Sequence, residues 1–394
     1  MNLQKHKDAL YPYKLFFHDC IWEDNKIIYP ASNCNAICET DISTGETIVI
    51  GRADEEKEQL LFFGIYKWKE YLILPSWNAR TVLNVFNLIS KEWSYIAIEE
   101  NRKNWLNFRE ENVFEYNGYL YSFPFSLVVL KIDIEKKEVS YLFYPDMQPN
   151  SDMRGEISCI EKMIYIPIRH SNKIYKFDLS TEQWEVIEVN TELRGIDTLC
   201  FDGKLFWMTG IGQMICSWNK ENNTSVSYKK FPHRFKKLVA RKGEEGFWFC
   251  RSIVYGNSIY FVPSDANMVI EFDTKRGEAN ELFIADEWEE EEDTRVGRFS
   301  TIKYMGAKKK DNILMMLSNK NKNLILIDLN TKKTFKTELK LSVIDKMISD
   351  ISVTNEGLVS LNVWLKYIGG YQQGYNMKQT GYEETAGGRI YSLY

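Results

Sequence analysis

The chain has 394 residues, more than one undivided core usually holds, so a modular or repetitive fold is expected. With 44% hydrophobic and 27% charged residues it is globular rather than disordered, and its formal net charge of -5 excludes the broad basic surface that sequence-independent nucleic-acid binding requires. Aromatic residues at 14%, among them 23 Tyr, 22 Phe and 11 Trp, suit half-buried pleated surfaces and favour an all-β fold.

Taken from the start, "MNLQKHKDALYPYKLFFHDC" holds no apolar stretch of signal-peptide length, and no later run approaches the roughly 18 apolar residues of a membrane span. The seven cysteines (Cys20, Cys34, Cys38, Cys159, Cys200, Cys216 and Cys250) are scattered and form no CxxC pair. They read as reduced, mostly buried small hydrophobes, so a cytoplasmic protein without a membrane partner is expected.

One pattern then recurs along the chain: "AICETDISTGE", "LNVFNLISKEW", "VLKIDIEKKEV", "IYKFDLSTEQW", "ICSWNKENNTS", "VIEFDTKRGEA" and "LILIDLNTKKT". Its anchors are Asp41, Asn87, Asp133, Asp178, Asn219, Asp273 and Asp328, separated by 41 to 55 residues. A period of that length marks a repeat architecture. Before each anchor the residues alternate as a strand does, and after it a polar turn leads into a second alternating segment such as "WEVIEV". The side-chain oxygen of Asp or Asn accepts backbone N–H groups two residues on, so the anchors are expected to hold hairpins rather than perform chemistry. Two further strand-like segments precede each anchor, with hairpin signals at Asn117-Gly118 and Asp202-Gly203. Each unit thus supplies four strands, a to d, the composition of a β-propeller blade.

The motif apolar-x-apolar-Asp-x-x-Ser/Thr-x-x-Trp, clearest at Phe177 to Trp184 and partial at Val85 to Trp93, resembles the hairpin of kelch-type propellers. The Gly-Gly pair that ends the second kelch strand is replaced here by "PIRH", "PSWN" and "VPSD". The period is also similar to quinoprotein-like and streptogramin-lyase-like propellers. The resemblance implies a single all-β propeller domain over residues 1–394. The last segment, "RIYSLY" ending at Tyr394, aligns with "KIYKFD" but stops before an outer strand, which Tyr11 to Phe16 is expected to provide. Eight blades closed by the two chain ends are therefore favoured, with seven blades and a docked tail as the alternative. Three inserts interrupt the period: basic Arg234 to Gly246, acidic Asp286 to Asp293, and Tyr/Gly/Gln-rich Tyr367 to Gly388, a length of loop that is usually functional or disordered.

In such a ring the b–c loops and the segments leading into strand a share the face around the central channel. The polar residues expected there define the candidate site. Arg154 and Arg194, each followed by Gly, occupy matching places in neighbouring units, and Arg298 a similar one. Together with Arg80, Arg169 and Arg251 they are candidate guanidinium donors to a carboxylate or phosphate. Asp197 and Glu111 are candidate polar contacts, and Trp77 and Phe125 candidate stacking surfaces. Of four histidines, His18 and His170 fall at this mouth, with Asp19 and Glu156 available to orient a base. No nucleotide-binding, metalloprotease or hydrolase motif is present, and no motif names a cofactor or requires a metal. The expected function is binding of a peptide, glycan, anionic small molecule or protein partner, without nucleic acid. The alternative is a lyase, isomerase or hydrolase acting on a peptide or carbohydrate through the same residues; the lyase version is what the likeness to streptogramin-lyase-like propellers implies.

Overall fold

A computed structural model describes residues 19–31, 36–53, 62, 64–75, 82–99, 109–149, 151–212, 214–236, 248–264, 266–284, 304–318 and 323–342. Within them, 28 strands form seven four-stranded antiparallel sheets, each a simple meander of consecutive strands. Blade 1 holds β1 (Ile21–Glu23), β2 (Lys26–Ala31), β3 (Ala36–Asp41) and β4 (Thr47–Arg52). Blade 2 holds β5 (Tyr66–Trp68), β6 (Tyr71–Pro75), β7 (Val82–Asn87) and β8 (Trp93–Ala97). Blade 3 holds β9 (Val113–Tyr116), β10 (Tyr119–Ser122), β11 (Val128–Asp133) and β12 (Glu138–Phe143). Blade 4 holds β13 (Ser158–Ile160), β14 (Met163–Pro167), β15 (Lys173–Asp178) and β16 (Gln183–Glu188). Blade 5 holds β17 (Gly195–Phe201), β18 (Phe206–Ile211), β19 (Ile215–Asn219) and β20 (Thr224–Tyr228). Blade 6 holds β21 (Phe249–Tyr255), β22 (Ser258–Pro263), β23 (Met268–Asp273) and β24 (Glu278–Ile284). Blade 7 holds β25 (Tyr304–Lys310), β26 (Ile313–Ser318), β27 (Asn323–Asp328) and β28 (Thr334–Glu338).

The middle strands are apolar on both faces because each sheet is covered on both sides. In blade 4, β14 and most of β15 are buried, whereas β16 alternates between exposed and half-buried positions. The packing is therefore between blades. Seven apolar clusters each join two neighbours: Phe123 and Leu127 meet Phe177 across blades 3 and 4, and Trp207 meets Phe272 across blades 5 and 6. The aromatic residues of the repeat are the wedges of these seams, as Trp184 shows by packing on both Phe177 and Tyr144.

The seventh seam decides the blade number. Cys20, Ile27, Tyr29 and Cys38 of blade 1 pack directly on Met315, Leu317 and Leu324 of blade 7, and Lys340 donates its backbone N–H to the Gly45 carbonyl at 2.8 Å. A ring closed in this way has seven blades, and the favoured eighth is corrected: no gap remains between the first sheet and the seventh. Arg389–Tyr394 and Tyr11–Phe16, the pieces expected to build it, lie outside the described residues, as do the acidic insert and the Tyr/Gly-rich insert.

All seven anchors hold turns, and the turns share a feature the alignment left unread. Each anchor side chain accepts backbone N–H groups two or three residues on, for example Ser180 to Asp178 at 2.7 Å, Ile89 to Asn87 at 2.8 Å and Lys136 to Asp133 at 2.9 Å. The residue four positions after every anchor is left-handed: Gly45, Lys91, Lys137, Glu182, Asn223, Gly277 and Lys332 have φ between 53° and 73°. Only two of them are glycine, because this position faces the preceding blade. Glu182 accepts from Tyr121 (2.7 Å) and Lys131 (2.6 Å) of blade 3, Asn223 donates to the Glu188 carbonyl (2.9 Å) of blade 4, and Lys332 pairs with Glu271 (2.6 Å) of blade 6. At Gly45 the space is missing: a Cβ there would lie 2.0 Å from the Glu338 carbonyl oxygen of blade 7. At Glu182, Asn223 and Lys332 the side chain is thus a tie to the preceding blade, and at Gly45 it is deleted where that blade closes in.

Substituting glycines of these two kinds tests the closure. Gly118→Ala, at φ 79° with open space around it, is expected to lose about 1–2 kcal/mol from the left-handed backbone alone. Gly45→Ala is expected to lose more, because the Glu338 backbone must also move. Urea unfolding of the two variants measures this, and equal losses would contradict a direct seam between blades 1 and 7.

Candidate functional site

The first strands of blades 4 to 7 run side by side, and the segments leading into the first strands converge on the same axis. Among the described residues, six of the seven blades place a charged side chain there. Lys308 of β25 sits among three carboxylates, 3.0 Å from Asp19, 2.8 Å from Glu110 and 3.2 Å from Glu111. Asp19 also accepts the Glu110 backbone N–H at 2.6 Å, tying the lead-in of blade 1 to that of blade 3. Arg251 of β21 bridges Glu111 and Glu156, each at 3.4 Å. Glu156 in turn accepts both the backbone N–H (2.8 Å) and the hydroxyl (2.5 Å) of Ser252. No group of three or more His, Cys, Asp or Glu among the described residues is arranged to hold a metal.

Beside this network lies a second group, organised around one aromatic ring. The guanidinium carbons of Arg154, Arg109 and Arg169 lie 4.5, 5.3 and 6.0 Å from the centre of Phe125. Phe125 is in the b–c loop of blade 3, Arg169 in that of blade 4, and Arg109 and Arg154 precede strands β9 and β13. The ring quadrupole favours such cations, and gathering three like charges needs that help. Arg109 is balanced by Glu111 (3.9 Å) and Arg169 by Asp197 (3.5 Å). Arg154 has no carboxylate within ion-pair distance among the described residues. It is 1% exposed and donates through Nε to the Phe123 (2.7 Å) and Pro124 (2.9 Å) carbonyls and through Nη1 to that of Gly155 (2.8 Å). Burial pulls its pKa down to about 9, with Arg109 and Arg169 acting in the same direction.

The glycines after the paired arginines have their own reason. The Glu156 N–H bonds the Asp197 carbonyl at 2.7 Å, and that of Ile196 bonds Ile168 at 3.2 Å, so blades 4 and 5 touch backbone to backbone. A Cβ on Gly155 would lie 2.5 Å from the Asp197 oxygen, and one on Gly195 only 1.7 Å from that of Arg169. The Arg-Gly repeat thus marks a close seam between blades.

The expected site residues separate accordingly. Asp19, Glu111, Glu156 and Arg251 lie in the axial network, and Arg169 and Asp197 beside Phe125. Arg154, expected to grip a ligand directly, is instead buried beneath the loop that carries Phe125 and shapes it through backbone carbonyls. Arg194 is exposed ahead of β17 and is not one of the guanidiniums on Phe125. His170 lies in the b–c loop of blade 4 with Nδ1 2.7 Å from the Asp152 carboxylate. His18, Trp77, Arg80 and Arg298 lie outside the described residues. Of the cysteines described, Cys20, Cys38, Cys200 and Cys216 are buried thiols, Cys250 is half-buried and Cys159 is exposed.

Lys308, Arg109, Glu110 and Asp152 were not singled out in the sequence. Lys308 hides in "AKKK", which reads as a solvated strand end until β25 is placed on the axis. Arg109 and Glu110 sit in "FREEN", where only Glu111 drew notice. Asp152 becomes visible only once its loop is laid beside Arg169 and His170.

Burial raises the Asp19 carboxyl to about 6 against the pull of Lys308, and the Glu156 carboxyl to about 7 against Arg251 and Ser252. Burial acts on Glu111 too, but Lys308, Arg251 and Arg109 together drive it below the usual carboxylate range. An acid whose folded pKa is raised binds protons more tightly in the folded state, so its contribution to stability falls as pH rises from the unfolded value near ~4 through the folded value. Asp19 and Glu156 thus make stability decline between about pH 4 and pH 7. Glu111 and the hairpin aspartates, whose pKa is lowered, lose stability only in stronger acid. Thermal melts from pH 5.5 to 8 are expected to show a falling Tm, and Glu156→Gln, which keeps an acceptor for Ser252, a shallower slope. Parallel slopes would contradict the raised Glu156. Removing the cation instead, in Lys308→Met, leaves Asp19 and Glu110 without a cationic partner among the described residues and Glu111 with only Arg251 and Arg109, and is expected to lose about 3–5 kcal/mol in urea unfolding at pH 7.5.

No protein-family model and no curated protein sequence matches this chain. Solved structures do. A streptogramin B lyase aligns with a TM-score of 0.54 at 11% identity, over 78% of this chain and 92% of that one. The computationally designed protein Ika8 aligns with a TM-score of 0.51 at 10% identity, over 83% and 87%. PorZ, a surface component of the type-IX secretion system of Porphyromonas gingivalis, aligns with a TM-score of 0.51 at 8% identity, over 84% of this chain but only 39% of PorZ. At these identities the likeness concerns the fold: the chain is a seven-bladed β-propeller, and a kelch-type assignment finds no matching family model.

Proposed function

We propose that this propeller binds an anionic ligand, a carboxylate or phosphate-bearing small molecule or peptide group, at the channel mouth beside Phe125. The supporting observation is the gathering of three guanidinium groups on one phenyl ring, one of them buried without a carboxylate partner among the described residues. Uncompensated buried positive charge is costly, and an anion relieves that cost. The ring, flanked by guanidiniums, serves to gather them rather than as a free stacking surface. The ligand would meet Arg109 and Arg169, whose side chains retain 12% and 16% exposure, while Arg154 supplies field from below. Planar guanidinium groups donate in pairs to carboxylate or phosphate oxygens, which gives such a site selectivity over chloride.

Thermal melts with sulfate, phosphate or benzoate, against chloride at equal ionic strength, test this. A ligand that binds only the folded state raises Tm, so oxyanions are expected to add a few degrees to the wild type and little to Arg169→Ala. An equal response to chloride and oxyanions, or an undiminished response in Arg169→Ala, would refute the site.

The His170–Asp152 pair favours a second reading, an enzyme of the lyase, isomerase or hydrolase kind acting at the same mouth. An imidazole oriented by a carboxylate is the arrangement a general base requires. If that reading holds, proton NMR of a bound ligand after incubation shows product peaks whose growth depends on His170. A ligand that binds but stays unchanged leaves the binding reading.

A further inference from the structure

We propose that His170, held by Asp152, is a further donor of the anion site and makes ligand binding proton-linked. The inference deepens the anion-binding reading and rests on it. Its basis is the way blade 4 extends above its own sheet. Beyond β13 and β14 the ladder continues: Gly155 N–H bonds the Pro167 carbonyl (2.8 Å), Arg154 bridges Ile168, and Arg169 N–H bonds the Met153 carbonyl (2.9 Å). Asp152, Arg154, Arg169 and His170 therefore sit on one laced segment, with Arg154 and Arg169 facing Phe125 and His170 next in the chain.

The histidine is fixed rather than loose. Asp152 Oδ1 takes the Met153 backbone N–H at 2.7 Å as well as His170 Nδ1 at 2.7 Å, so the carboxylate is itself held. With Nδ1 turned to Asp152, Nε2 lies on the far side of the ring, and the side chain retains 47% exposure. Among the described residues, the charged groups that act on it include Asp152, Arg169 and Asp197; the hydrogen bond to Asp152 raises its pKa above the ordinary value, against partial burial and Arg169. Protonated, it carries a donor at both ring nitrogens, whereas the neutral ring with Nδ1–H on Asp152 presents a lone pair at Nε2 that repels an oxyanion. An exposed His–Asp pair adds little to stability by itself.

The sign follows. Affinity is full below the His170 pKa and falls as pH rises through it, by at most tenfold per unit for one linked proton. Sulfate is the suitable probe because its own charge is constant across the range. Its association constant, measured by titration calorimetry from pH 6 to 8.5 at fixed ionic strength, is expected to fall about tenfold or more in the wild type. In His170→Asn, whose amide still reaches Asp152, the profile is expected to be flat. In Asp152→Asn the fall moves to lower pH. Glu156→Gln, which removes a buried carboxyl that also titrates in this window, keeps the fall. A flat wild-type profile with sulfate still bound overturns the proposal while leaving the anion site standing, and so does a fall that persists in His170→Asn. Absence of sulfate binding at every pH overturns both. Benzoate in parallel tells whether the linkage extends to carboxylates. Unliganded melts of the variants close to wild type confirm that the loop is intact.

Discussion

The middle strands of every sheet described are buried on both faces, and that constraint governs the rest. A four-stranded meander that is greasy on two sides is not stable alone; it needs a cover on each. Identical units meet the need by covering one another, and a series of such covers ends only by closing on itself. Cys20, Tyr29 and Cys38 against Met315, Leu317 and Leu324 are where this chain closes. The hairpin ties are the second layer of the same logic. Turn geometry puts a left-handed residue four places after each anchor, and the preceding blade leaves no room for a side chain at Gly45 while Glu182, Asn223 and Lys332 reach across to it.

Closure has an electrostatic consequence. Strands far apart in sequence bring their leading residues to one axis, where charges without partners in their own blade must find them in another. Lys308 of the last blade serves Asp19 of the first and Glu110 and Glu111 of the third. Arg251 links Glu111 to Glu156. Such pairs are weak contributors to net stability but expensive to break one partner at a time, so the network fixes how the blades sit around the axis. The Phe125 cluster differs because its balance is incomplete: the charge on Arg154 is moderated by carbonyl dipoles and a phenyl face. That difference separates a candidate ligand site from a structural ion-pair network.

The sequence pattern was readable where the physics is local. A strand ending in Asp or Asn followed by a polar turn needs only its own residues to form, and all seven such turns stand where the repeat placed them. Blade number was misread because "RIYSLY" has the local pattern of a strand, while closure depends on the fit between the first and last sheets. Arg154 and Arg194 look equivalent as Arg-Gly pairs, yet one guanidinium is buried and the other exposed; the common element is the glycine, which a backbone 1.7–2.5 Å from a would-be Cβ demands. Glu111, Glu156, Asp197, Arg169 and Arg251 were visible as polar residues in loops or around the inner strands, but which pairs with which was not, and Lys308 was missed, because Arg251 and Lys308 lie far along the chain from the carboxylates they serve.

By itself, the sequence determined the four-strand unit, the all-β class, the hairpin role of the seven anchors and the face on which polar loops gather. Each follows from alternation and turn chemistry acting within a few residues. Only the tertiary structure decided that the ring has seven blades, that Lys308 pairs with carboxylates from two other blades, and that Arg109, Arg154 and Arg169 meet on Phe125 with the His170–Asp152 pair alongside. Those outcomes depend on distances between units, and a period along the chain carries no information about distance across a ring.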